Sequence, residues 1–144
     1  MNLHPFHKYI TNRDVNGYRD EMTLKDMVNQ IGKESHGFER TPLMAAVENE
    51  HFQVVQYLIE QGEADPNIAD SYGYNALHYA AEYNKKNTEL IELLLTNMSL
   101  TSINKKTWDG YGTPLDWAYE YNKSPIKQTI IDLIRSKGGK RDGE

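Results

Sequence analysis

His78 and Asp116 are the two residues of this chain that could work as an acid–base pair. A histidine titrates near neutral pH, and a carboxylate can orient it or exchange a proton with it. That pairing defines a hydrolytic-enzyme hypothesis. Such catalysis also needs a nucleophile or water and an oxyanion donor converging on the same pocket, and nothing beyond the two side chains points to one. The sequence has no glycine-rich phosphate loop, no His-Glu-x-x-His and no nucleophile elbow, and Gly138-Gly139 ends a helical pattern instead of opening one. His4 and His7 lie three apart with Pro5 between them, which argues against a regular helical metal pair. Cysteine is absent, so disulfides, thiolate metal sites and cysteine nucleophiles are excluded together. No cofactor is expected.

The elements that carry His78 and Asp116 repeat. "HYAAEYNK" runs from His78 to Lys85 and "DWAYEYNK" from Asp116 to Lys123, and a looser copy follows Thr41-Pro42-Leu43. Leu43, Leu77 and Leu115 recur at intervals of 34 and 38, a spacing that means stacked supersecondary units. Each unit opens on a residue able to cap a helix (Thr41, Asn75, Thr113), and Pro42 and Pro114 suit the first helical position, where a missing N–H costs nothing. The short helices should end near Glu50, Asn84 and Asn122 through left-handed closing residues, a conformation that asparagine tolerates and glutamate does not favour. A second apolar pattern follows each: Val54, Val55, Leu58 and Ile59; Leu90, Ile91, Leu94 and Leu95; Ile126, Ile130, Ile131 and Ile134. Spacings of one, three and four lay such residues along one side of a helix. Between units lie polar stretches such as Asp70-Ser71-Tyr72-Gly73-Tyr74, where the chain must turn back.

These features together resemble the ankyrin repeat, with its Thr-Pro-Leu-His-x-Ala signature at a period of about 33. "TPLMAAVENEHFQVVQYLIEQGEADPN", Thr41 to Asn67, is the closest copy, with one apparent insertion at Glu63. Later units carry extra residues around Lys85 to Thr88 and a longer finger from Thr101 to Gly112. The resemblance implies an all-α solenoid of stacked helix-turn-helix units joined by finger loops. The expected organisation is a segment 1–35 with a capping helix, repeats at about 36–69, 70–107 and 108–140, and a tail 141–144. Leu24, Met27, Val28 and Ile31 form the stripe of that capping helix, since solenoid ends need a polar outer cover. Phe6, Tyr9, Ile10 and Tyr18 are candidates to pack on it.

His78 occupies the signature histidine, which the resemblance makes a structural residue tying the helix start to the adjacent finger. Met44 and Asp116 share its column, so no histidine array exists. Asp116 and His78 sit one unit apart, roughly 10 Å at ordinary helix spacing, too far for a direct pair. Asn67 is implied to pair with turn backbone, a position that can be a hydroxylation target in animal cells.

Glu48, Glu82 and Glu120 fall in one column near the last turn of each first helix, with Tyr83 and Tyr121 beside the later two. A carboxylate there opposes the helix dipole at about 0.3 to 1 kcal/mol, so helix stability does not explain the column. In the family, this column and the fingers line the surface that contacts partners. The matching finger residues are Phe38 and Arg40, then Ser71, Tyr72 and Tyr74, then Trp108 and Tyr111. Tyrosine and tryptophan dominate binding hot spots; the alternative role for these rings is to brace one finger against the next. The expected function is a non-enzymatic protein-interaction module with an acidic and aromatic concave face, monomeric when free, for a partner with a basic or mixed polar surface. It would serve as a microbial effector, an immunity or antitoxin-type inhibitor, or an adaptor. A net charge of -5 argues against nucleic acid. No segment approaches the roughly 20 apolar residues of a membrane span, and no secretory signal is apparent. The expected location is the cytoplasm, or a host cytosol for a translocated effector.

Overall fold

The computed structural model of the protein describes residues 28–30, 32–33 and 39–144. Along the chain run β1 (Gly32–Lys33), β2 (Glu39–Arg40), α1 (Pro42–Glu48), α2 (Phe52–Glu60), α3 (Ala76–Tyr83), α4 (Thr88–Thr96), α5 (Leu100–Ile103), α6 (Pro114–Tyr121) and α7 (Lys127–Ser136). The three expected caps are all in place. Thr41 accepts the Met44 amide, Asn75 accepts those of Leu77 and His78, and Thr113 accepts that of Asp116, with proline opening α1 and α6.

Helix ends follow a different rule from the one expected. Asn84 and Asn122 are not left-handed: their backbones are extended, with φ of -74° and -77°. Of the three named ends, the one with positive φ is Glu50, at 56°. The reason lies in side-chain bonding across the turn. The Asn84 amide donates to the Asn87 carbonyl at 2.6 Å, and Asn122 Oδ1 accepts the Ser124 amide at 2.8 Å. Glu50 instead places its carboxylate under the next repeat, accepting the amides of Lys86 at 2.8 Å and Asn87 at 3.0 Å.

The first helices α1, α3 and α6 lie side by side as one layer, and α2, α4 and α7 form a second layer behind them. Leu43, Leu77 and Leu115 are fully buried between the layers, each contributing about 1.5–3 kcal/mol relative to exposure. Ala80 and Ala118 let neighbouring helices approach closely. Val54 departs from the expected stripe, being 45% exposed while Val55 is wholly buried. Successive residues point about 100° apart on a helix, and Val55 shares its face with Leu58. The long finger also contains a helix not expected there, α5, capped by Ser99. Among the described residues no helix is long and apolar enough to cross a membrane.

Three fingers are paired among the described residues: the β1–β2 ribbon, the Ala69–Asn75 bridge and the Thr107–Gly112 bridge. Gly73, at φ 89°, belongs to the second; a Cβ there would stand 2.7 Å from the Lys106 carbonyl oxygen, so the close approach of second and third fingers requires glycine. Asparagines also tie successive units. Asn67 accepts the Ser99 amide at 2.8 Å, as its expected turn-pairing role implies. Asn104 bonds Gly138 and Lys140, and Asn29 bonds Glu63 and Asp65 in the same manner. Residues 28–30 therefore stand where the end of a repeat stands, and Val28 is buried in the core. Leu24, Met27, Ile31, Phe38, His4, His7 and the early aromatics lie outside the described residues.

Candidate functional site

The His78 ring is fully buried at the start of α3. Its Nδ1 accepts the Asn75 amide at 3.0 Å, which leaves the proton on Nε2, 3.3 Å from the Gly112 carbonyl of the third finger. Burial pushes its pKa down to about 4, against the opposing pull of the Gly112 carbonyl. This is the helix-to-finger tie implied for the signature histidine. Asp116 performs the matching task at α6. Burial acts to raise its carboxyl, yet the Arg141 guanidinium at 2.8 Å and the amides of Thr113 and Asp142 hold it below the ordinary carboxylate range. Both chemically capable side chains are thus engaged in bonds that build the fold. Among the described residues no group of histidine and carboxylate side chains is arranged to hold a metal.

The glutamate column presents three different situations. Glu48 forms an ion pair with Arg40, whose guanidinium lies 5.6 Å from the Tyr79 ring centre. Glu120 pairs with Arg141 at 2.8 Å, and that guanidinium lies 4.5 Å from the centre of the Tyr119 ring. Glu82, between them, has no ion-pair partner among the described residues, and burial raises its pKa. The face is therefore not uniformly acidic, because arginines from the chain itself neutralise its two ends. Arg141 falls in the expected tail and had no periodic signal to mark it.

Glu82, Tyr83, Lys85, Tyr121 and Lys123 line one open pocket of about 430 Å³, together with Ser124 and Pro125. Tyr83 and Tyr121 are 37% and 38% exposed and face the same space, as the stacking of equivalent letters requires. Tyr121 also packs edge-on to Trp117 and Tyr111. Lys85 and Lys123 occupy the same last position of the doubled phrase.

The finger aromatics divide. Tyr74 is half-buried among Trp117, Tyr79 and His78, and its hydroxyl donates to Asp109 at 2.5 Å. Burial and that carboxylate together raise its pKa. It braces the fingers. Trp108 stacks on Tyr72 at 5.4 Å and donates from Nε1 to the Ser71 carbonyl at 2.6 Å, yet it stays 70% exposed. Tyr111 is also exposed. Trp108 thus joins two fingers while presenting an open aromatic face.

Helix pairs stacked in two layers with fingers at one edge define a repeat solenoid. The profile described as "Ankyrin repeats (3 copies)" matches residues 15–107, and the chain belongs to that family. It is 49% identical over 53 residues to an ankyrin repeat protein of Acanthamoeba polyphaga mimivirus, a match covering 36% of this chain and 12% of that protein. It also resembles an ankyrin repeat domain from Acinetobacter baumannii, with a TM-score of 0.58 and 23% identity over 92% of this chain and 64% of that one. The second likeness speaks to the fold alone.

Proposed function

We propose that the chain is a protein-interaction module that binds its partner across the first-helix face, centred on the Glu82 pocket and extending to the exposed rings of Tyr72, Trp108 and Tyr111. The observation that carries this reading is the convergence of Glu82, Tyr83 and Tyr121 on one open pocket. Two half-exposed tyrosines can desolvate against a partner at low entropic cost, while a carboxylate with no ion-pair partner among the described residues selects its charge. Family membership supports the general role, since ankyrin repeats are protein-binding modules. Arg40, Glu48 and Glu120 serve chiefly by shaping the field, because each already has an intramolecular partner.

Such a module acts by occupancy: it recruits, masks or inhibits. A microbial effector, an immunity or antitoxin-type inhibitor and an adaptor would use the same face, as a monomer when free, in the cytoplasm or a host cytosol. The hydrolytic alternative has no support in the geometry of His78 and Asp116. Affinity capture from the native source, comparing the unaltered chain with Tyr83→Ala/Tyr121→Ala, tests the reading. Loss of the captured partner with an unchanged circular dichroism spectrum is the expected result; equal capture by both would contradict it.

A further inference from the structure

Two of the three column glutamates already hold an arginine beside a tyrosine ring, Glu48 holding Arg40 and Glu120 sharing Arg141 with Asp116. At Glu48 and at Glu120 the guanidinium meets a carboxylate with one edge and lies near a tyrosine ring, Tyr79 in one case and Tyr119 in the other. A planar, weakly hydrated cation suits that combination better than an ammonium does. Arg40 enters ahead of α1 and Arg141 beyond α7, so the same arrangement is reached from unrelated places in the chain. Glu82 lies between them on α3, with Tyr83 and Tyr121 beside it and no cation paired to it among the described residues.

The lining holds a second charge feature. Lys85 and Lys123 share the pocket with Glu82, two cations to one carboxylate. A purely basic segment would meet like charge there, which selects against it.

We infer that the Glu82 pocket receives an arginine carried on an exposed segment of the partner, with an acidic residue of that same segment set against Lys85 and Lys123. This rests on the reading of the first-helix face as the binding surface. The tyrosines pack along the aliphatic stem of the incoming arginine, which buries apolar length while its head reaches the carboxylate. An extended segment spans the pocket within about four residues, so the arginine and the acid lie close in the partner's sequence.

A random dodecapeptide library displayed on phage and selected on the full chain tests this. The expected peptides carry an arginine with an aspartate or glutamate within about four positions. Glu82→Gln should weaken them about fivefold and remove the preference for arginine over lysine. Lys85→Glu/Lys123→Glu should remove the acidic preference, and Tyr83→Ala/Tyr121→Ala should abolish binding. Selected peptides without arginine, or indifferent to Glu82→Gln, overturn the inference. If those same peptides still need Tyr83 and Tyr121, the binding face stands. If they bind the double tyrosine variant equally well, the face falls too. Recovery of no peptide overturns the linear arginine-bearing ligand and leaves the native capture to judge the face.

Discussion

The side-chain amide of Asn122 donates to the backbone carbonyls of Ala81 at 2.8 Å and Asn84 at 3.1 Å, joining the end of α6 to the end of α3. All three groups are buried, so removing the donor strands the Ala81 carbonyl away from water and leaves the Asn84 carbonyl only the Ser124 hydroxyl at 3.4 Å. Asn122→Ala should lower stability by about 2 kcal/mol. Urea denaturation measures it; a loss within experimental error would show that the junction is not held there.

Arg141 links the last residues of the chain to Asp116 and Glu120. Arg141→Ala should cost about 1 kcal/mol, chiefly through the charge-assisted bond to the buried Asp116. Asp116 titrates below its ordinary range, so its contribution is present above the unfolded pKa of 3.8 and lost as pH falls through the lower folded value. The variant should therefore lose part of its acid sensitivity below pH 4. Arg135→Ala, which breaks an exposed pair with Glu144, should leave the denaturation curve unchanged. Equal effects from both variants would contradict this division.

How much of this was legible in the sequence depends on where each interaction closes. Helix starts were readable because Thr41, Asn75 and Thr113 act on amides two or three residues ahead. Ends were not, because Glu50 and Asn122 bond residues of a neighbouring repeat, and no local propensity reports that. The same limit hid the arginine pairs. Arg141 is one charge in a polar tail until the fold brings it 2.8 Å from Glu120. The doubled phrase placed Tyr83 and Tyr121 on one surface correctly, whereas Tyr74 shares their chemistry but is half-buried behind the third finger.

His78 makes stability depend on pH. Its folded pKa is lowered to about 4 by burial, from an ordinary value of 6.5. Between those values the unfolded chain takes up a proton that the folded chain refuses, so stability falls as pH falls across that window, by up to about 1.4 kcal/mol per unit. His78→Gln should be less stable at pH 7 and show a shallower slope from pH 6.5 to 4.5, read from urea midpoints. An unaltered slope would mean that His78 is protonated in the fold.

Trp108 offers a test of finger bracing separate from binding. Its stacking on Tyr72 and its bond to Ser71 predict that Trp108→Ala loosens the second and third fingers without unfolding the helices. Amide exchange should accelerate at Tyr72 and Gly73 and stay slow at Leu77 and Leu115. Unchanged exchange at the fingers would leave Trp108 as a contact residue alone.

The central claim is that the partner docks over the layer of first helices. A photoreactive benzophenone side chain placed at position 83, and separately at position 54 on the second layer, tests it in the native source. The account predicts a covalent adduct with the partner from position 83 and none from position 54. An adduct formed only from position 54, or equally from both, would contradict it.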